Sequence, residues 1–278
     1  MKRSQLRSQL VLGTTVVVIG LLASACGGGS SESSRKPPKA TTTTTAAVAT
    51  TTTVAPPTTA SSSPSSPAPA AGTSATSQLV AHLVGVGSAQ QLVVVTADGY
   101  GQTTATLNAY ELVNGNWQST FGPWTAHLGF NGFAAPNAKR EGDGKTPSGS
   151  YGFDFFFGVL ANPGVNFPYR PITSSSIVWD DDSNSPLYNQ WVDASTQNPG
   201  AGPEPMYNQP AYNYGAVIAY NTAHTPQLGS AIFFHVFTGG ATAGCVSLPS
   251  DQLLQVLRWL NPSRSPRIIM GTTAAVTS

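Results

Sequence analysis

A single cysteine with a histidine ten residues before it carries the strongest chemical signal in this chain. Cys245 stands in Phe234-His235-Val236-Phe237-Thr238-Gly239-Gly240-Ala241-Thr242-Ala243-Gly244-Cys245-Val246-Ser247-Leu248. A thiol is mostly protonated at neutral pH and needs a base or cation beside it to act as a nucleophile. His235 supplies one if the Gly239-Gly240 loop returns the chain so that Cys245 lies alongside. Gly244 removes a side chain just before the thiol, and the N–H groups of Ala243, Gly244 and Cys245 are candidates for an oxyanion site. The competing reading is a buried structural cysteine next to a hydrogen-bonded core histidine.

The elements that must position these residues read as strands. Residues 91–96 and 103–113 are strand-like, and Asn114-Gly115 marks a hairpin into Trp117. Further strand candidates are 152–160, 177–179, 216–220, 231–237 and 267–270, the fourth of these apolar on both faces as a central strand requires. One short helix near the C-terminus is expected, capped by Ser250 or Asp251, striped by Leu253, Leu254, Leu257 and Leu260, and ended by Asn261-Pro262. Long Asn/Pro/Gly/Ser stretches separate these elements, above all 180–213. The fold class is mostly β with long loops, the usual seat of binding and catalysis.

The N-terminal part is of another kind. Residues 1–25 have a basic start, an apolar run over 11–22 and the small residues Ala23-Ser24-Ala25, the layout of a secretory signal. Cys26 follows, then Gly27-Gly28-Gly29, an arrangement that resembles a bacterial lipoprotein signal and implies lipidation at Cys26. Residues 26–77 are Thr, Ser, Ala, Pro and Gly with almost nothing aromatic, so a disordered tether is expected. The folded domain is then 78–278, enough for one core. With Cys26 in the signal region, Cys245 has no disulfide partner inside the domain.

Composition excludes several functions. Formal net charge is +1 and only 9% of residues are charged, with no basic stripe for nucleic acid. His82, His127 and His224 lack ligand-like spacing with a carboxylate, so no metal is expected. The run Asp180-Asp181-Asp182 lacks the spacing of a calcium loop and reads as a solvated turn. Tyr207, Tyr212 and Tyr214 read as anchors of their loop, or as surfaces for a peptide or sugar.

Two ordered motifs carry a resemblance. Thr242-Ala243-Gly244-Cys245-Val246-Ser247-Leu248 and the earlier Gly142-Asp143-Gly144-Lys145-Thr146-Pro147-Ser148-Gly149-Ser150-Tyr151 resemble the active-site segments of the L,D-transpeptidase catalytic domain (YkuD-type). That family usually has histidine where Ala243 stands and arginine or asparagine where Ser247 stands. The resemblance implies an L,D-transpeptidase-like β-sandwich, Cys245 as nucleophile and His235 as general base and acid. It also implies substrate contacts at Lys145 and Ser247, and acyl transfer on peptidoglycan stem peptides through a thioester, without a cofactor. Hydrolysis of the same bond, or wall binding without catalysis, are the alternatives. The protein is expected to be monomeric, exported, and anchored to the outer face of the membrane through its lipid, reaching into the cell wall.

Overall fold

A computed structural model describes residues 72–277 of the chain. The expected signal, Cys26 and most of the expected tether lie outside the described residues. The first element is a helix, α1 (Gly72–Ala81), so residues 72–77 are not tether. The reason is tertiary. Val80 and Leu83 just beyond are buried, and the Ser77 hydroxyl donates to the Trp117 carbonyl at 3.3 Å.

Then follow β1 (Gln91–Ala97), β2 (Thr104–Val113), β3 (Asn116–His127), β4 (Gly149–Tyr151), β5 (Phe153–Gly158), β6 (Tyr169–Pro171) and β7 (Ile177–Trp179). They are followed by β8 (Trp191–Asp193), β9 (Glu204–Pro205), β10 (Gly215–Ile218), β11 (Phe233–Val236), β12 (Val246–Leu248), helix α2 (Ser250–Trp259), β13 (Arg267–Thr272) and the single turn α3 (Thr273–Val276). Ten strands form one sheet in the order β4-β13-β1-β2-β3-β12-β11-β10-β5-β6, and β8-β7-β9 form a second, smaller one. The β2–β3 turn uses Asn114 and Gly115, both at positive φ (50° and 78°), as a two-residue hairpin of that hand requires.

Alternation along the strands divides the buried side chains. Phe234 and Val236 of β11, with Val246 and Leu248 of β12, join the main core with Val93, Val95, Leu107, Ile268 and Met270. Leu253, Val256 and Leu257 of α2 enter the same core at helical spacing, each full burial worth roughly 1.5–3 kcal/mol. Asp251 in the first turn and Arg258 in the last complement the helix dipole. Neither Ser250 nor Asp251 caps this helix. The N-cap is Pro249, which offers no side-chain acceptor.

The other faces of the large sheet are covered separately. Leu92, Val94 and Ile269 pack with Val80 of α1, with Leu83 just after it and with Val276 of the C-terminal turn. At the opposite end Phe155, Phe157, Val217, Phe233 and Cys245 pack with Ile177, Trp179, Met206 and Tyr212. The small sheet therefore lies over the face that presents the cysteine. The stretch 180–213, expected as loop, contributes β8, β9 and a 3₁₀ turn (Pro210–Asn213) to this cover. Among the described residues, no helix is long and apolar enough to cross a membrane.

Candidate active site

β11 and β12 run parallel, with Phe234 opposite Val246, His235 opposite Ser247 and Val236 opposite Leu248. The face turned away from the main core therefore carries His235 and Ser247 side by side, with Phe233 and Cys245 one pleat earlier. All but Phe233 of these four line one cavity of about 420 Å³, together with Tyr212 and the 238–244 loop. The return through Gly239 and Gly240, at φ 101° and 97°, makes this neighbourhood possible.

The thiol is buried, 7% exposed, and held by backbone groups. It accepts from the Phe233 N–H at 3.3 Å and donates to the Ala231 carbonyl at 3.2 Å. Burial pushes its pKa up to about 12, against the lowering effect of the Phe233 N–H, and Glu204 and Asp181 push the same way as burial. Cys245 is thus a neutral thiol at physiological pH.

His235 is equally buried, and its Nδ1 lies 2.9 Å from the Val236 carbonyl. A carbonyl only accepts, so Nδ1 carries the hydrogen and Nε2 keeps its lone pair. Burial holds the imidazole pKa down to about 4, the Val236 hydrogen bond opposing it, so the ring is neutral at physiological pH. The Tyr212 ring stands edge-on to the imidazole (centroids 5.7 Å, planes at 88°), and its hydroxyl donates to Glu204 Oε1 at 2.8 Å.

The earlier motif meets the cysteine through its backbone. Thr146 Oγ1 accepts from the Gly129 N–H at 2.9 Å and donates to the Cys245 carbonyl at 3.1 Å, and Thr242 Oγ1 donates to the same carbonyl at 2.8 Å. Asp143 braces the loop, accepting from Lys139 Nζ and the Arg140 N–H at 2.7 Å and the Lys145 N–H at 2.9 Å. Burial alone would raise its carboxyl, but these donors outweigh burial and hold it below the ordinary aspartate value. Gly129 fits only as glycine, because a Cβ would lie 2.3 Å from the Gly144 carbonyl oxygen.

The expected site residues therefore separate. Cys245, His235, Ser247 and Ala243 come together in the cavity, whereas Lys145 is not among its lining residues. The lysine that does line it is Lys139. Of the three expected oxyanion donors, the Gly244 N–H is already engaged by Thr242 Oγ1 at 3.1 Å. His127 stacks on Phe237 with centroids 3.8 Å apart, and His224 lies in a loop with its Nδ1 3.1 Å from the Asn189 carbonyl. Among the described residues, no group of three His, Cys, Asp or Glu could hold a metal ion.

Glu141, Asp181 and Glu204 also line the cavity, and sequence reasoning did not place them there. The acidic run is no solvated turn, since Asp180 is fully buried and accepts from the Asp182 N–H at 2.9 Å and from the Ser185 hydroxyl. The available signal was the rarity of charge: three acids in a row, and Glu204 between two prolines, in a chain with so few.

The described domain is β-rich and brings Cys245, directly before β12, and His235 of β11 to one cavity. The model of the L,D-transpeptidase catalytic domain (YkuD) matches residues 82–272, and the chain belongs to that family. No curated protein and no solved structure matches the chain.

Proposed function

We propose that this protein is a cysteine-dependent L,D-transpeptidase that acts on peptidoglycan stem peptides. The observation that carries the reading is the placement of His235 on β11 and of Cys245 directly before the neighbouring parallel strand β12, both lining one cavity. In the first step Cys245 Sγ attacks the carbonyl carbon of the peptide bond to the terminal D-amino acid, and its proton passes to His235 Nε2. The thiol must turn from the Ala231 carbonyl to do so. The N–H groups of Ala243 and Cys245 are the donors for the developing oxyanion, since that of Gly244 is taken. The carbon–nitrogen bond then breaks, the leaving nitrogen takes the proton from His235, and a thioester remains.

In the second step an amine of another stem attacks the thioester. Its proton goes to His235, the carbon–sulfur bond breaks, and sulfur recovers the proton. Ala243 gives this site a backbone donor but no second imidazole, so His235 serves both steps. Ser247, facing His235 across the two strands, is the substrate hydroxyl contact. The signal-like residues 1–25 and Cys26 support export and a lipid anchor on the outer face of the membrane.

Incubation of the protein with a carbapenem, followed by intact mass, tests the nucleophile. An adduct of one drug molecule is expected on the wild type and none on Cys245→Ala. No adduct on a folded protein with a reduced Cys245 would overturn the reading. Mass spectrometry of products from purified stem peptides then separates crosslinking from hydrolysis.

A further inference from the structure

The charges around the cavity do not balance. Its charged lining residues are Lys139, Glu141, Asp181 and Glu204. The Lys139 ammonium is spent on Asp143 and on the Arg140 carbonyl, each at 2.7 Å. Among the described residues, no Lys, Arg or His forms an ion pair with Glu141, Asp181 or Glu204. These three carboxylates are instead organised by neutral hydroxyls. Ser230 Oγ donates to Glu141 Oε2 at 2.8 Å and lies 3.3 Å from Asp181 Oδ1. The Tyr188 hydroxyl also donates to Glu141, and the Tyr212 hydroxyl to Glu204. Burial first, then Glu204 and Glu141, and more weakly Asp180, raise Asp181 to about 7, with Ser230 opposing. That is the behaviour of negative charge held together without a cation.

Two other groups in the same cavity call for a ligand independently of the acids. Ser247 is 1% exposed and lines the cavity, yet no described residue hydrogen-bonds its hydroxyl. His235, 7% exposed, has no described partner at Nε2. Both open on the cavity, and the space in front of them is where a substrate enters.

We infer that Asp181, Glu204 and Glu141 form a subsite for a protonated primary amine on the acyl donor, so that the preferred substrate carries a free ammonium group near the bond attacked. This rests on the transpeptidase reading of the site. Glu204 and Asp181 also disfavour the Cys245 thiolate. A bound ammonium cancels that effect, so the correct donor helps to ionise the nucleophile that will attack it. This assigns the amine to the donor. The acceptor arrives only after the thiol has already reacted.

The test uses full-length Cys245→Ala protein, titrated calorimetrically with the tetrapeptide L-alanyl-γ-D-glutamyl-L-lysyl-D-alanine and with its Nε-acetyl form. The amine peptide should bind about tenfold more tightly or better, and adding Asp181→Asn or Glu204→Gln should bring the ratio to about threefold or less. Should one of these variants fail to fold, the other and the parent comparison still decide. Equal affinity for both peptides in the parent overturns the inference, while thioester formation by both on the wild type would leave the transpeptidase reading standing. Absence of binding and of thioester with either peptide overturns both.

Discussion

The Thr146 hydroxyl donates to the backbone carbonyl of Cys245 at 3.1 Å, across ninety-nine positions of chain. The same oxygen accepts from the buried Gly129 N–H. One side chain thus links the segment after β3, the Gly142–Tyr151 motif and Cys245. Thr146→Val keeps the shape and removes both bonds, leaving a buried donor unpaired. We expect a loss of about 1–3 kcal/mol in denaturant unfolding, with slower acylation of Cys245, and recovery of both in Thr146→Ser. An unchanged unfolding midpoint in the valine variant would show that the link is dispensable.

His235→Ala should lower the rate of thioester formation by about 10²–10⁴ while circular dichroism stays that of the wild type. The Nδ1 bond to Val236 fixes the tautomer, and no described residue stands ready to replace Nε2. A rate within threefold of wild type would remove His235 from the reaction.

The free thiol should be sluggish. With its pKa pushed up to about 12, alkylation of Cys245 by iodoacetamide should be slow at neutral pH and climb about tenfold per pH unit as the thiolate fraction grows. A rate that levels off near pH 7 would mean that Cys245 is already a thiolate at neutral pH.

Asp181 ties stability to pH with a definite sign. Its carboxyl sits at about 7 in the folded chain against an ordinary value of 3.8. Between these values the folded state keeps the proton and the unfolded state releases it. The contribution is fully present below 3.8 and is lost as pH rises through 7. Asp181→Asn lacks this dependence. Relative to it, the wild type should lose on the order of 2 kcal/mol between pH 4 and pH 8 in chemical unfolding. Parallel pH profiles for the two proteins would refute the assignment.

Much of the large sheet and the pair Cys245–His235 were legible because they rest on local rules. Strand alternation, the Asn114-Gly115 turn and the leucine stripe of α2 are written in neighbouring residues. What was not legible is tertiary. Residues 72–77 have tether composition, and the apolar residues that follow them make the segment a helix. β8 and β9, of three and two residues, are too short to show alternation. Asp180 looks solvated until the Ser185 hydroxyl and the Asp182 N–H are seen to satisfy it in the interior. Lys145 is conspicuous in the sequence for its side chain, whereas its N–H is what the fold uses, bound to Asp143.

The second sheet is drawn from one uninterrupted stretch, 177–205, and two of the three lining carboxylates, Asp181 and Glu204, come from it. His235 comes from β11 and Cys245 from the loop that leads into β12. On the transpeptidase reading, reactivity and selectivity are thus encoded in separable parts of the gene. On the reading proposed above, exchange of 177–205 would change which peptide is admitted while His235 and Cys245 stay in place.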